Sequence, residues 1–272
     1  MMTLDVGATT VEFCDDGRLA GRYNHADAFK PYLHPLNTPR GHTLSLASPH
    51  DHKHHKGLMY ALKAADVNFW EEIPGPFDGL VGRQRHESFA DLTERGEHVG
   101  FVETLTWLAL DGTLPTFRER REIACHAVPD QKAYSWWWRT ELEALRDLRL
   151  VMSGWSARRN DGTLVNYHGL GLRFRREFGC TRGNELRLDD TPTSFPAGMG
   201  SSPQAATFRG SIDGTWPVER AGVTITQNQR HALFVLETPF AFMSFGPSNL
   251  SAIDVRQGER LVEEYTVTVF DV

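Results

Sequence analysis

Short stretches in which apolar and polar positions alternate, separated by turn dipeptides, run along the whole 272-residue chain. The clearest lies near the carboxy terminus, where Tyr265, Val267 and Val269 alternate with Thr266 and Thr268. That is the period of two expected of a strand with one face buried. Residues 10–14, 99–110, 222–226 and 231–236 are further segments of strand length. Asp-Gly occurs five times, beginning at Asp16, Asp78, Asp111, Asp161 and Asp213, a dipeptide that supplies the positive φ angles of tight hairpins. Within residues 132–145, Trp136, Trp137 and Trp138 follow one another. Three successive indoles would wrap around a helix but line both faces of a strand, which predicts a strand in a sheet buried on both sides. Glycine (24) and proline (14) are spread without a low-complexity linker or a repeat period. The expected fold is therefore all-β: one large antiparallel β-sandwich formed by residues 1–272 as a single domain.

Composition narrows the function classes. A hydrophobic share of 40%, with seven Trp and sixteen Phe, provides for a sizeable core. The 29 Lys and Arg against 35 Asp and Glu leave a net charge of −6, which offers no general attraction to nucleic acid or to an anionic membrane. Cys14, Cys125 and Cys180 are scattered, without Cys-x-x-Cys spacing; they are expected as reduced thiols in a cytoplasmic protein. No basic segment followed by an apolar stretch opens the chain, and no run of about 18 apolar residues suggests a span. Nothing resembles a P-loop, a dinucleotide fingerprint or a nucleophile elbow, so no nucleotide cofactor is expected.

The histidines are the chemical signal. Six of twelve, namely His34, His42, His50, His52, His54 and His55, fall within residues 31–56. Imidazole exchanges protons near neutral pH and, when neutral, ligates metals. If the segment after Pro49 is extended, His50, His52 and His54 share a face; if it is a helical turn, His50 pairs with His54 and Asp51 with His55. His-x-His-His matches no well-defined structural zinc pattern, so a metal would need ligands from distant strands, for which His86 and His168 are candidates. In residues 82–87, Arg83, Arg85 and Glu87 would share one strand face and Gln84 and His86 the other. His168 stands beside Gly169 and Gly171, where backbone can approach a ligand closely. Trp70 offers a π face to a sugar ring, and Arg173, Arg175 and Arg176 form a basic stretch suited to a carboxylate.

A family resemblance ties these residues together. Residues 30–36, then Thr38-Pro39 and Gly41-His42, resemble the opening of the bacterial family labelled methane-oxygenase PmoA, a domain of unknown function. Asp51-His52-Lys53-His54-His55-Lys56-Gly57-Leu58 is similar to that family's Asp-His-Pro-His-His-Arg-Ser-Leu or Asp-His-Pro-Trp-His-Lys-Gly-Leu block, with Lys53 in place of the usual proline. Asn68-Phe69-Trp70 matches another block, and similarity extends over nearly the whole chain. Particulate methane oxygenase subunits are membrane proteins, whereas this chain shows no span. The resemblance implies a soluble galactose-mutarotase-like supersandwich whose relatives lie beside sugar dehydrogenases and other glycan-catabolic functions.

The expected activity is that of a carbohydrate-active enzyme that moves protons at a sugar carbon, as a lyase or hydrolase of oxidised (3-keto) glycosides. His54 is the first candidate for the base, followed by His52 and His55, with His86 and His168 joining the catalytic set. His34, Lys56, Trp70 and Arg83 are expected to bind the carbohydrate substrate. A divalent metal ion is the one cofactor the pattern admits, held by His52, His54 and His86. Two rivals stand beside this reading. One is a mutarotase-like epimerase with a histidine acid and Glu237 as candidate base; the other is a non-catalytic sugar-binding or scaffold module.

Overall fold

The alternating stretches become strands of two large sheets. A computed structural model describes residues 1–73, 79–179 and 183–272; the calls at Asp78 and Cys180 lie outside them. One sheet has nine strands, in the order Leu233–Leu236, Phe242–Phe245, Gly169–Arg173, Leu58–Ala61, Tyr32–Leu36, Arg18–Asn24, Thr10–Asp15, Met2–Val6 and Arg95–Gly96. The other has ten, in the order Thr191–Thr193, Glu185–Leu188, Ala205–Ser211, Arg220–Gln227, Arg260–Asp271, Ala133–Ala144, Phe117–Val128, His98–Ala109, Leu80–Thr93 and Val67–Asn68. Neighbours pair antiparallel except Val67–Asn68, which runs parallel to Leu80–Thr93. Among the described residues no helix is long and apolar enough to cross a membrane.

One apolar cluster extending from Met2 to Val269 fills the space between the sheets. It makes the structure a β-sandwich. Asp16 and Gly17, both at positive φ, join Thr10–Asp15 to Arg18–Asn24 as a tight hairpin. The tryptophan segment is a strand, as its pattern predicts, but its sheet is not buried on both sides. Trp136 and Trp138 point into the core, whereas Trp137, Arg139, Glu141 and Glu143 form a half-exposed outer face. It is the nine-stranded sheet that buries both faces. Leu58 and Tyr60 join the sandwich core, while Met59 and Ala61, one position out of phase, join a second cluster with Trp70, Tyr167, Phe234 and Phe242 on the outer side.

A buried polar network ties the sheets together. Arg121 donates to Glu119 (2.8 Å), the Tyr23 hydroxyl (2.9 Å) and Gln84 (2.9 Å). Tyr23 also donates to the buried Glu103. His86 Nδ1 completes the group on Glu103 Oε1 at 2.7 Å.

The junction at Gly169 is a sharp structural requirement. It has φ +94, and an added Cβ would collide with the Phe245 carbonyl oxygen on the paired strand. Gly169→Ala is therefore expected to destabilise the protein by about 1–3 kcal/mol through combined overpacking and backbone strain. Urea denaturation monitored by tryptophan fluorescence measures this, and an unchanged midpoint would refute it.

Candidate functional site

The histidine segment is neither a strand nor a helical turn. It is a pair of consecutive turns over residues 49–55, closed by His52 N–H to Pro49 O (3.0 Å) and His55 N–H to His52 O (3.0 Å), and pinched at its base by Ser48 N–H to His55 O (2.7 Å). Folding the segment this way gathers its side chains. The His52 ring stacks on His55 at 4.9 Å and lies 5.8 Å from His54, and the His54 and His55 rings are 4.5 Å apart. His55 in turn stacks on Phe242 at 5.0 Å, which seats the loop on the outer face of the nine-stranded sheet.

Two acidic clamps fix this loop. Asp51 accepts from Arg176 (3.1 Å) and Arg173 (3.4 Å) and from His52 Nδ1 (3.0 Å). At the other end Lys56 pairs with Asp27 (3.2 Å) and Glu72 (3.3 Å), and the fully buried Lys30 shares Glu72 while donating to the Trp70 carbonyl at 2.6 Å. A carboxylate can only accept, so Asp51 fixes the His52 proton on Nδ1 and leaves Nε2 as the acceptor. Arg173 can only donate, so its 3.3 Å contact makes His55 Nδ1 an acceptor. His54 has no hydrogen-bond partner among the described residues.

Burial sets the protonation. It depresses the His54 imidazole to about 3, with the positive charge of Lys30 adding to the effect and Glu71 opposing it. His55 is pushed well below its ordinary value, by burial first and then by His54 and Arg173. Both rings are neutral at physiological pH.

Beneath the loop lies a group that centres on Glu71, the residue after Trp70, which the sequence analysis did not single out. Asn68 takes the backbone N–H groups of Trp70 (2.9 Å) and Glu71 (3.1 Å) on its side-chain oxygen and donates its amide to the Glu71 carboxylate. Ser153 (3.0 Å) and Tyr167 (2.8 Å) donate to the other carboxylate oxygen. Burial alone would raise this carboxyl, but the charge of His168 and these hydrogen bonds outweigh it and hold Glu71 down at about 2. His168 is fully buried with its ring 5.3 Å from Trp70, and burial depresses it to about 4. Among the described residues neither of its ring nitrogens has a partner, nor does the buried Trp70 Nε1 or Ser244 Oγ.

The expected residues thus separate. His52, His54 and His55 come together, with His168 below them across Trp70. His86 does not join them: it caps Glu103 at the sandwich core and touches His25 and Phe89. The expected metal set His52, His54 and His86 is consequently not assembled. Among the described residues no group of three or more His, Cys, Asp or Glu side chains converges to hold a metal ion. Trp70 is fully buried under His55, His168, Tyr167 and Phe242, so it is a floor and not a stacking platform. Lys56 is committed to its two carboxylates. His34 bonds Ser45 at 2.8 Å, and Arg83 stands on strand Leu80–Thr93 of the other sheet, without a bond to the loop. Asp51, which orients His52, was missed as an orienting group.

Three cavities among the described residues lie away from His52, His54 and His55, which line none of the three. One of about 440 Å³ lies between residues 157–161, 195–199 and 235–238, one of about 370 Å³ opens on Arg118 and Arg120, and one of about 770 Å³ lies at the amino terminus. Glu237 lines the first.

The model of a family of unknown function, DUF6807, matches residues 10–272. The chain belongs to this family. DUF6807 carries no assigned activity, and no curated protein matches the chain in sequence. Among solved structures, a galactose mutarotase related enzyme from Lactobacillus acidophilus aligns over 99% of this chain and 97% of its own, at 6% identity and a TM-score of 0.34.

Burial of neutral His168 makes stability pH-dependent in a defined direction. Its folded value, about 4, lies below the 6.5 of free imidazole. Between those values the unfolded chain binds a proton that the folded chain does not, so the stability present above 6.5 is lost as pH falls towards 4. His168 is expected to contribute a slope of about 1.4 kcal/mol per pH unit there. Urea titrations between about pH 5 and 6.5 should show the slope reduced by that amount in His168→Asn; an equal slope in both proteins would refute the assignment.

Proposed function

We propose that this DUF6807 protein is a carbohydrate-active enzyme that moves a proton beside a sugar carbonyl, eliminating or hydrolysing an oxidised (3-keto) glycoside. The observation that carries the reading is the pairing of His52, oriented by Asp51 with Nε2 open, and His54, neutral and unpartnered, with ring centres 5.8 Å apart. An oriented imidazole is a general base, and a neutral imidazole of depressed pKa is a hydrogen-bond donor suited to a carbonyl oxygen. The roles therefore differ from the sequence-based order, in which His54 is the first base.

In a 3-keto glycoside the carbonyl acidifies the neighbouring C2–H. His52 Nε2 takes that proton while His54 N–H and the charge of Arg173 stabilise the enediolate oxygen. Collapse of the enediolate forms the C1–C2 double bond and breaks the C1–O bond, and the departing aglycone oxygen takes a proton. Water added across the double bond completes net hydrolysis. No step is assigned to a divalent ion, because the donors expected for one do not converge. The resemblance to PmoA-labelled sequences supports the location of the loop; it supplies no chemistry. The free thiols Cys14 and Cys125 fit the cytoplasmic location proposed here.

Elimination from a synthetic 3-keto-glycoside is followed by the ultraviolet absorbance of the enone. His52→Ala should lower kcat by about 10²–10⁴ and His54→Ala by about 10²–10³, with thermal stability retained. Full activity in both variants would refute the reading. Loss on chelation, restored by a divalent ion, would transfer enediolate stabilisation from His54 to a metal. Exchange of aldose anomers without elimination would favour the epimerase.

A further inference from the structure

The 440 Å³ cavity lies at the edge of the nine-stranded sheet, where the strand Leu233–Leu236 presents Val235 from the sandwich core and Leu236 from the outer cluster. Met199, which lines it, is buried in the cluster of Trp70, Tyr167 and Phe242, the floor below the histidines; Ala157 and Leu236, also in its lining, pack against that cluster. At the other end, Phe240 follows the lining residue Thr238 by two positions. Its ring lies 4.5 Å from that of His52, and the Arg173 guanidinium sits 4.0 Å over it. The cavity and the histidines are therefore two ends of one surface.

The lining has the character of a sugar-ring site. Phe195, Pro196, Met199, Val235 and Leu236 give an apolar wall, and Arg158, Asn160 and Glu237 a polar edge. Glu237 is half-buried yet has no hydrogen bond or ion pair among the described residues. A carboxylate so placed accepts from neutral hydroxyl groups, and Arg159 and Asp161 in the same lining pair with each other at 3.5 Å. The volume falls within the range of about 300–1,000 Å³ typical of small-ligand pockets. Two residues before Ala157, Trp155 is 77% exposed on a turn built on the Glu71 group: its N–H donates to Ser153 Oγ at 3.1 Å, and that hydroxyl donates to Glu71. An indole held in solvent on a fixed turn is a ready stacking surface for a sugar.

We propose that this cavity is a second subsite, which receives the neighbouring ring of a neutral disaccharide glycoside while the reacting ring lies at His52 and His54. This rests on the carbohydrate reading above. Apolar C–H faces meet the Met199 wall, and ring hydroxyls donate to Glu237.

Calorimetric titration with glucose-, galactose- and mannose-based monosaccharides and their disaccharides separates the two claims. The best disaccharide should bind at least about tenfold more tightly than its monosaccharide. Ala157→Phe, which fills the cavity from a half-exposed position, and the isosteric Glu237→Gln should each remove most of that advantage while leaving monosaccharide affinity unchanged. His54→Ala should weaken both ligands. Equal affinity for mono- and disaccharide, or an advantage that survives both cavity variants, overturns the subsite and leaves the carbohydrate reading standing. Absence of binding by every sugar overturns the subsite, while elimination from the 3-keto-glycoside tests the carbohydrate reading by itself.

Discussion

The outer face of the nine-stranded sheet is the constraint from which the candidate site follows. Its inner face is covered by a second sheet, whose residues alternate into a common apolar core. Its outer face is apolar too, at Met59, Ala61, Phe234 and Phe242, but only loops remain to cover it. Loop backbone carries donors and acceptors that no ladder satisfies, and covering an apolar face with loops takes those groups out of water. Side chains must then be supplied for them. Asn68 does this for Trp70 and Glu71, and Asn166 accepts from Ser153 N–H at 3.1 Å. The buried carboxylate, hydroxyls and imidazoles of the site belong to this covering layer.

Electrostatics then keeps His54 and His55 of that layer uncharged. The cations Lys30 and Lys56 are compensated by Asp27 and Glu72, and Arg173 and Arg176 converge on Asp51. His54 and His55 lie between these two groups. Burial already disfavours their protonated forms, and positive neighbours on both sides add to it. His54 and His55 therefore supply neutral nitrogens in place of charges. A charged imidazole placed here would repel the same cations that hold the loop.

The sandwich was legible because its signals are local. An Asp-Gly hairpin and the alternation at Tyr265–Val269 depend on residues a few positions apart, and both occur as read. The gathering of His52, His54 and His55 was legible in the run itself, but what each side chain is bonded to was less so, because that depends on partners far away in sequence. His86 looks as reactive as His54 until Glu103, on a neighbouring strand, is seen to accept from it. Lys56 looks free until Asp27 and Glu72 are seen to hold it. The buried Trp70 needs Gly171, where a Cβ would press on Trp70, Phe242 and Ser244, and nothing local announces that contact. Asp51, by contrast, stood beside His52 in sequence, and an acid next to a histidine was a signal available to find its orienting role.

Two buried polar groups in this protein differ in how far their hydrogen bonds are met within the chain. Around Arg121 every guanidinium nitrogen is paired, and Glu119 accepts from Arg121, Trp107 and Thr140. Such a group is complete within the fold and serves to join two sheets. On the outer face, among the described residues, His168 lacks a partner at both nitrogens, and Trp70 Nε1, Ser244 Oγ and Arg173 Nε lack theirs. Buried polar atoms in folded proteins are nearly always satisfied, so a concentration of unsatisfied ones marks where something outside the chain, a water or a ligand, completes the bonding. Those atoms surround the floor on which His52, His54 and His55 rest. Among the described residues Tyr60 Oη and Trp136 Nε1 of the sandwich core lack partners as well, so it is the grouping of five such atoms at His168, Trp70, Ser244 and Arg173 that singles out the floor of the histidine loop.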